Sequence, residues 1–517
     1  MTTATALADR SIAPLAAGSL RDIIDSHAET QPDSAFLIDA ETGAAIDFRT
    51  LQMRARGVAD LVRRAGIQPG ETVAYATSNC PDAAVVILGL IYGGYLATAI
   101  NLVAGSHTIS YVLDHSECRL ILANDAGRHA LAEALESHGD IKVLDIADVL
   151  ANQPETPPIP EAMESGGLLM YTSGTTGQPK GVVLSQQNLV AGGANTALAH
   201  QLSGQDRGLC VLPLYHINGL CVTLLGALVS GGSLVVPPRF SVSKFWPIMI
   251  EQACSWFSVV PTQISYLLHD SANHPDRDRL GKVRFGRSAS APLSPDIQSA
   301  FEDAFGITII ETMGLTETAA QILSNPLPPG TRKIGSPGIA FGNELCIADS
   351  SQNALPPETE GEVLVRGPNV MQYYLKNEEA TAQAITRDGW LRTGDLGRMD
   401  RDGYVYITGR LKELIIKGGE NIAPREIDEA LYAHAQVVEA AAFGCPCQRY
   451  GERVEAAVMV SDNATVSEQD LIDLCRGRVG AFKSPDRIHF MPELPKGPSG
   501  KIQRKRLLEI FANPGRR

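Results

Sequence analysis

The sequence predicts an α/β protein with a large N-terminal domain and a small C-terminal domain. The chain has 517 residues, which is too long for a single hydrophobic core. Apolar strands alternate with amphipathic helices over more than half of the chain, as in doubly wound sheets. Residues 330–409 differ, because they are rich in Gly, Pro and short strands. After Gly409-Arg410 the alternation resumes on a smaller scale. We therefore expect residues 1–409 to form doubly wound sheets plus a β-rich subdomain, and residues 410–517 to form an α+β domain.

The N-terminal part shows the clearest alternation. A helix is indicated at 50–65, where apolar residues recur every three or four positions and Thr50 is placed to cap it. An uncharged stretch at 83–100 contains three glycines and follows Pro81-Asp82, which favours a buried helix over a membrane span. The predicted elements are a helix at 21–29, a hairpin of strands 35–38 and 45–48, a helix at 50–65, a strand at 72–75, a helix at 82–95 and a strand at 120–123.

The later elements follow from the same patterns. Short apolar runs predict buried strands, and apolar residues at helical spacing predict helices. The predicted elements are strands at 209–212, 232–236 and 256–260, helices at 219–229 and 247–253, short strands at 345–347, 361–365 and 404–407, a helix at 424–433, a strand at 454–460 and a helix at 467–479.

Composition and charge limit the classes of function. The chain is 44% hydrophobic and 20% charged, as globular proteins are. Its net charge of −14 disfavours a nucleic acid or an anionic membrane as the main partner. The nine cysteines show no metal-ligand spacing, and the N-terminus shows no sustained apolar signal segment. We therefore expect reduced thiols, no membrane span and a cytoplasmic location.

One stretch concentrates chemical groups that bind anions. Residues 171–181 read Tyr-Thr-Ser-Gly-Thr-Thr-Gly-Gln-Pro-Lys-Gly, with four hydroxyls between Thr172 and Thr176, followed by Lys180. Glycines let backbone N–H groups approach an anion, hydroxyls donate hydrogen bonds, and the lysine adds positive charge. The spacing differs from that of the Walker A motif. We interpret the stretch as a phosphate-binding loop between a strand and a following strand or helix.

Three weaker motifs follow it. Glu317, at the end of Thr312-Met-Gly-Leu-Thr-Glu, could hold Mg²⁺ beside phosphates, or its Thr-Glu pair could cap a helix. Asp395, with Arg410 beyond it, could accept the hydroxyls of a ribose, or it could belong to an ordinary β-turn. Lys501 lies among Gly and Pro, so a shaped loop could present it, or it could belong to a solvated charged tail.

Together these four motifs resemble, in identity and order, those of the AMP-forming adenylate enzymes. That family includes acyl-CoA synthetases, firefly luciferase and the adenylation domains of peptide synthetases, and the resemblance extends from about Leu20 to Arg506. It implies ATP, Mg²⁺ and coenzyme A as cofactors, a carboxylic acid as substrate and a mobile C-terminal domain. It implies ATP binding by Thr172, Ser173, Gly174, Thr175, Thr176, Lys180, Ser290, Ala291, Thr312, Met313, Gly314, Asp395 and Arg410.

The resemblance also implies catalytic roles. Thr316 would contact the α-phosphate, Glu317 would hold Mg²⁺, and Lys501 would be the lysine of adenylation. His216 matches a histidine at the acyl site, although a plain core histidine is the alternative. Lys412 would be the hinge of the mobile domain. The residues that would line the coenzyme A tunnel after rotation are Lys417, Gly418, Gly419 and Glu420.

Within the family, segments such as 285–291 look similar to those of oxalate–CoA ligases. Those enzymes have a second histidine two residues after the one that matches His216, and another three residues after the metal glutamate. Here these positions hold Asn218 and Ala320, so we expect a small polar acid other than oxalate, such as sulfoacetate or a short dicarboxylate. The residues expected to select the acid are Asn218, Ser288, Ser290 and Ala320.

Several alternatives stay open on the sequence alone. The acid could be oxalate or a short aliphatic or aromatic acid, because loss of two histidines also makes a pocket more apolar. The acceptor could be a separate carrier protein, although residues 417–420 and the absence of a fused carrier domain after Lys501 favour free coenzyme A. A nucleotide-binding regulator without catalysis is disfavoured by the complete set of motifs. The sequence leaves a homodimer open.

Overall fold

The computed structural model of the protein describes residues 18–151, 165–172, 178–462, 464–497 and 501–512. The helices of these residues are α1 (Leu20–Thr30), α2 (Phe48–Arg64), α3 (Pro81–Tyr92), α4 (Ser106–Ser116), α5 (Asp125–Leu135), α6 (Ile146–Ala151), α7 (Gln186–Ala199), α8 (Gly226–Ser230), α9 (Val242–Glu251), α10 (Pro261–His269), α11 (Pro295–Phe305), α12 (Glu378–Ala384), α13 (Pro424–Tyr432), α14 (Glu468–Lys483) and α15 (Arg504–Ala512). A π-helix (Asn218–Leu225) and three 3-10 turns (Ser271–Asn273, Arg277–Leu280 and Thr316–Thr318) accompany them.

The described strands belong to four sheets. They are β1 (Ala35–Asp39), β2 (Ala45–Asp47), β3 (Thr72–Ala76), β4 (Leu96–Ala99), β5 (Leu120–Ala123), β6 (Lys142–Asp145), β7 (Gly167–Thr172), β8 (Lys180–Ser185), β9 (Arg207–Cys210), β10 (Ser233–Val236), β11 (Trp256–Val259), β12 (Phe285–Ser288), β13 (Ile309–Leu315), β14 (Ala320–Ser324), β15 (Ile339–Ala340), β16 (Glu344–Ala348), β17 (Gly361–Arg366), β18 (Tyr373–Tyr374), β19 (Leu391–Met399), β20 (Val405–Arg410), β21 (Ile415–Lys417), β22 (Glu420–Ile422), β23 (Val437–Cys447), β24 (Gly451–Val460) and β25 (Arg487–Phe490).

Two large sheets form the predicted doubly wound architecture. The first has nine strands in the order β15-β14-β13-β12-β11-β9-β10-β1-β2, and the second has seven in the order β18-β8-β7-β4-β3-β5-β6. Their central strands pair in parallel, and antiparallel strands lie at the edges. The main hydrophobic core joins the two sheets, since α3 contacts β1 and β4 while α7 contacts β7, β8 and β14. The carboxyl ends of the parallel strands therefore converge where such sheets bind ligands.

The helix α3 shows why the uncharged stretch at 83–100 is not a membrane span. All of its residues except Asp82 are buried, and Cys80 caps its first turn. A Cβ at Gly89 would lie 2.8 Å from Val58 of α2, so glycine allows the two helices to pack closely. Among the described residues, no helix combines the length and apolar character needed to cross a bilayer.

Two smaller sheets complete the fold. The strands β16, β17, β19 and β20 form the predicted β-rich region as a four-stranded antiparallel sheet. The strands β21 to β25 form a separate five-stranded sheet. With α13 and α14 it encloses its own core around Ile427, Val458 and Leu471. We propose that the division between the domains lies at 409/410, because this core draws only on residues beyond it.

Several local predictions are wrong in detail. Helix α2 begins at Phe48 because the side chain of Asp47 accepts the backbone N–H of Thr50 at 2.7 Å, so Asp47 is the cap instead of Thr50. The predicted helix at 219–229 is a π-helix followed by the short α8, and the helix predicted from Pro247 begins at Val242. Several described helices were not predicted, notably α4, α5, α7 and α11.

Candidate active site

A cleft opens between the carboxyl ends of the nine-stranded sheet and the small domain. It contains about 1350 Å³ of empty space, part of which is open to solvent. Segments distant in sequence form its walls: the turn after β12, strand β13, the hairpin of β19 and β20, and the loop that carries Lys501. The predicted site residues that line it are Ser290, Ala291, Thr312, Met313, Gly314, Asp395, Arg410 and Lys501.

Asp395 and Arg410 face each other across the hairpin of β19 and β20. They are register partners, and the guanidinium Nε and Nη2 donate to the two carboxylate oxygens of Asp395. Burial alone would lower the pKa of Arg410, but Asp395 raises it above its ordinary value. Asp395 is buried at 4% exposure, so this ion pair is held rigidly in the cleft wall. It can present acceptor oxygens and N–H donors to a polar ligand.

Lys501 reaches the same cleft from the small domain. Its Nζ lies 3.5 Å from Oε1 of Glu413, which also lines the cleft. Burial and the neighbouring charge of Arg410 lower the pKa of Lys501. Lys501 thus joins Arg410 on one side of the cleft, and their two positive charges suit an anionic ligand.

Glu311 is a cleft residue that the sequence motifs did not indicate. Its Oε1 accepts the backbone N–H of Leu293 at 3.1 Å, whereas its buried Oε2 has no hydrogen-bond partner among the described residues. Burial raises the pKa of Glu311 to about 6. A charged residue directly after the apolar pair Ile309-Ile310 was the sequence feature that could have identified it. Its unpaired oxygen is available as an acceptor for a donor group of a ligand.

Ser173, Gly174, Thr175 and Thr176 lie outside the described residues, but both flanks of their loop are described. The loop connects β7 and β8, which pair antiparallel with Thr172 opposite Lys180. The phosphate-binding stretch is therefore flanked by two strands, one of the two arrangements that the sequence allows. Thr172 and Lys180 lie together at its base.

Tyr374 connects Lys180 to Glu317. The ammonium group of Lys180 lies 4.9 Å from the centre of the Tyr374 ring, and the Tyr374 hydroxyl donates to Oε1 of Glu317 at 2.8 Å. Burial, with the adjacent Glu317 carboxylate, raises the pKa of Tyr374, so the hydroxyl remains a proton donor. No local pattern in the sequence marks this role, because Tyr374 reaches the site through the pairing of β18 with β8.

Glu317 fits the requirements for a nucleotide-bound magnesium ion. It follows the end of β13, in the 3-10 turn that begins at Thr316. Mg²⁺ beside phosphates takes only one or two protein carboxylates and keeps several waters. Within the described ranges Glu317 forms no ion pair with a lysine or arginine, and its side chain accepts from the Tyr374 hydroxyl. The part of the chain that the structure describes contains no cluster of three or more His, Cys, Asp or Glu for an independent metal site.

Of the predicted acid-selecting residues, Ser290 lines the cleft, whereas Asn218, Ser288 and Ala320 are not among the described residues that line it. Nδ2 of Asn218, the first residue of the π-helix, donates to Oγ of Ser290 at 3.3 Å. Ser288 and Ala320 are buried, and Oγ of Ser288 has no partner among the described residues. His216 precedes the π-helix, and burial lowers its pKa to about 4, so its ring is neutral at pH 7.

The backbone at these positions is unusual. Ser290 and Ala320 have φ values of +73° and +80°, in the left-handed region that non-glycine residues seldom adopt. Strand β14 begins at Ala320 and lies so close to β13 that a Cβ at Gly314 would stand 1.9 Å from the Ala320 carbonyl oxygen. Strained backbone of this kind accumulates at ligand sites, where it fixes the direction of side chains and carbonyl groups.

Arg287 is a further polar residue beside Asn218, and no role was predicted for it from the sequence. It lies within the segment 285–291 that carried the resemblance, at 1% exposure. Its Nη1 donates to Oδ1 of Asn218 at 2.9 Å. A lone arginine in a buried strand was the feature that could have identified it.

The predicted hinge residue and the predicted coenzyme A residues are not among the described residues that line the cleft. Lys412 is exposed in the turn between β20 and β21. Gly418 and Gly419 form the turn of the hairpin of β21 and β22 with positive φ at both positions, which glycine permits. Lys417 is buried, and its Nζ donates to the carbonyl of Phe482 at 2.9 Å. No residue of this hairpin is among the described residues that line the cleft.

Comparison with known proteins covers most of the chain. The AMP-binding enzyme family matches residues 24–375, and the AMP-binding enzyme C-terminal domain matches residues 426–501. The chain is 45% identical over 499 residues to the sulfoacetate–CoA ligase of Cupriavidus necator, with 95% of this chain and 97% of that one covered. It is 35% identical over 509 residues to the oxalate–CoA ligase of Arabidopsis thaliana, with 95% and 98% covered.

A solved structure agrees in fold. The crystal structure of ATP-bound MatB from Rhodopseudomonas palustris matches with a TM-score of 0.87 at 29% identity, covering 96% of this chain and 99% of that one. The resemblance and the fold class predicted from the sequence are thereby confirmed. The chain belongs to the family of AMP-binding enzymes, among its acyl-CoA ligases.

Proposed function

We propose that this protein joins a small carboxylic acid to coenzyme A in two steps, with ATP converted to AMP and pyrophosphate. The observation that carries the proposal is the convergence of Asp395, Arg410 and Lys501 with Ser290 and Ala291 on one cleft. These residues come from both domains, and their groups suit the ribose, phosphates and base of a nucleotide.

In the first step an oxygen of the acid attacks the α-phosphorus of ATP. A P–O bond to the acid forms while the bond to pyrophosphate breaks, and no protein nucleophile takes part. Both reactants are anions, so Lys501 and Lys180 would offset their repulsion and stabilise the leaving pyrophosphate. Thr316 would contact the α-phosphate and Asp395 the ribose hydroxyls. Mg²⁺ held by Glu317 would supply further positive charge beside the phosphates.

In the second step the thiol of coenzyme A attacks the acyl carbon, a C–S bond forms, and AMP leaves. We propose that the small domain turns about Lys412, which withdraws Lys501 and brings residues 417–420 to the cleft. Such a turn must break the contacts that the small domain makes with α10. There Tyr266 donates to Glu439 Oε1 at 2.7 Å and accepts from Lys496 Nζ at 2.7 Å.

The acid is proposed to carry a second anionic or strongly polar group, as in sulfoacetate or a short dicarboxylate. The relative in Cupriavidus necator, named a sulfoacetate–CoA ligase, supports a sulfonated acid. The polar groups around Asn218 support the same class. Asn218 contacts Ser290 and Arg287, and the buried Oγ of Ser288 has no partner among the described residues, so an apolar tail would leave that hydroxyl unsatisfied. Asn218 and Ala320 stand where oxalate–CoA ligases carry histidines, so oxalate is proposed to be a poorer substrate.

A screen of AMP release tests this proposal. Purified protein is incubated with ATP, Mg²⁺ and each of a set of small acids (sulfoacetate, malonate, oxalate, propionate, benzoate), with and without coenzyme A. We expect release that depends on both the acid and coenzyme A and is greatest with sulfoacetate or malonate. Preference for oxalate would overturn the role given to Asn218 and Ala320, and AMP release that does not depend on coenzyme A would overturn coenzyme A as the acceptor.

The location is proposed from the cysteine pattern, which is typical of a reducing compartment, and the sequence leaves the assembly open. We propose a cytoplasmic enzyme, with a homodimer as its assembly. Fractionation of the host cell tests the first, and light scattering on the purified protein tests the second. A mass of one chain, 55.2 kDa, would exclude the dimer.

A further inference from the structure

Arg287 is a buried arginine without an acidic partner among the described residues. It is 1% exposed, and its guanidinium donates to Asn218 Oδ1 at 2.9 Å and Ser258 Oγ at 3.1 Å through Nη1. Its Nε donates to Gln321 Oε1 at 3.4 Å. All three of these partners are neutral, and no carboxylate within the described ranges forms an ion pair with Arg287.

The lack of an acidic partner sets Arg287 apart from other buried arginines of the described residues. Arg332, Arg410 and Arg504, which are also partly or largely buried, each pair with a carboxylate. A buried charge without a counter-charge is costly. Burial lowers the pKa of Arg287 to about 9, which still leaves it protonated at neutral pH. The nearby ring of His200 supplies no counter-charge, because a histidine is either neutral or positive.

Arg287 also fixes the direction of the Asn218 amide. An arginine has only donors, so the amide oxygen must face it, and the hydroxyl of Ser258 lies 3.2 Å from the same oxygen. The NH₂ group of Asn218 is therefore turned toward Ser290 Oγ, 3.3 Å away, and Ser290 lines the cleft. The charge of Arg287 and the amide dipole of Asn218 therefore both have their positive side toward the wall of the cleft at Ser290.

We propose that Arg287 is the positioning residue that makes this site select acids with a second anionic group, acting through Asn218. The inference rests on the proposed function and names the substrate class of that same site. A sulfonate or a second carboxylate is an acceptor-only anion, so it accepts from the Asn218 amide and balances the charge of Arg287. An acid with a methyl tail does neither and leaves the buried charge of Arg287 without a counter-charge.

The test compares two arginine variants. Arg287→Gln removes the charge but keeps a donor, and Arg284→Gln is the matched control, since Arg284 is partly exposed and paired with Asp206. For each protein, kcat/KM is measured with sulfoacetate, malonate and propionate by pyrophosphate release, and Tm is recorded. We expect Arg287→Gln to lower the ratio of sulfoacetate or malonate to propionate by about tenfold or more, and Arg284→Gln to leave it unchanged.

The ratio of kcat/KM values distinguishes selection of the acid from a merely structural role. A structural role would reduce kcat/KM for all three acids by the same factor. If kcat/KM falls for sulfoacetate alone, the second anionic group that the site selects is a sulfonate. If it falls for malonate alone, that group is a carboxylate. An unchanged ratio overturns the inference while leaving the proposed function intact. If the wild-type protein releases pyrophosphate with none of the acids, the proposed function and the inference fall together.

A second variant tests the role of Arg287 if the Arg287→Gln protein does not fold. Asn218→Asp places a carboxylate next to Nη1 of Arg287, which neutralises the charge without removing the arginine. We expect it to fold, with a Tm at or above that of the wild type, and to lose the preference for the dianionic acids by about tenfold or more. A folded Asn218→Asp protein that keeps the preference would contradict the inference.

Discussion

Tyr374→Phe should weaken the coupling between Lys180, the proposed phosphate-binding lysine, and Glu317, the proposed metal ligand. The substitution keeps the ring over which Lys180 lies at 4.9 Å and removes only the hydroxyl that donates to Glu317 at 2.8 Å. A hydrogen bond to a charged group contributes about 1.5–3 kcal/mol. If that contribution serves to hold Glu317 for Mg²⁺, its loss lowers kcat/KM for ATP by about ten- to one-hundred-fold, since each tenfold corresponds to about 1.4 kcal/mol.

The assay is acid-dependent exchange of pyrophosphate into ATP, measured over a series of Mg²⁺ concentrations. We expect the variant to require more Mg²⁺ for half-maximal exchange, and calorimetry to show weaker binding of Mg²⁺-ATP but unchanged binding of metal-free ATP. Tyr373→Phe is the matched control, because Tyr373 is the adjacent residue and is 46% exposed. Equal Mg²⁺ dependence in the two variants and the wild type would refute the role given to Tyr374.

Three further predictions concern the cleft and the contact between the domains. Lys501→Ala should reduce acid-dependent pyrophosphate exchange by about one hundredfold or more, while ATP still binds. Unchanged exchange would contradict a catalytic role for Lys501. Burial raises the pKa of Glu311 from 4.5 to about 6, so stability falls as pH rises between these values. Glu311→Gln should therefore raise the free energy of unfolding at pH 7 by about 2 kcal/mol, with no gain at pH 4, as urea denaturation at both pH values would show. Tyr266→Phe removes a hydrogen bond to Glu439 between the large and the small domain, so it should lower the rate of adenylation severalfold. The rate of thioester formation from supplied acyl-adenylate should stay unchanged. Equal losses of rate in both steps would contradict a role for Tyr266 in keeping the small domain in its present orientation.

The sequence was sufficient for the fold class because its patterns are local. Runs such as Leu209–Leu212 and the alternation around them follow directly from burial of strands between helices. The cap of α2 was misplaced because Asp47 and Thr50 are both good capping residues, and only the backbone geometry decides between them. Helix α7 was missed because it is buried on nearly all sides and therefore lacks the polar face that marks an amphipathic helix.

The candidate site was predictable where the combination of motifs resembles a known family. Taken singly, the motifs of Asp395, Arg410 and Lys501 allowed structural alternatives, but the structure places these residues together in the cleft. Arg287 and Tyr374 act through partners 69 and 57 residues away in sequence, and no local pattern encodes such pairings. Both roles depend on the register of strands that the sequence does not specify.

The most direct test of the two-step mechanism is a single-turnover reaction followed by mass spectrometry. Enzyme in excess over ATP is mixed with sulfoacetate and Mg²⁺, and coenzyme A is added after a delay. We predict that the acyl-adenylate and pyrophosphate form before the addition, and that the thioester and AMP appear only after it. Formation of ADP and phosphate, or of a thioester without a preceding adenylate, would contradict this mechanism.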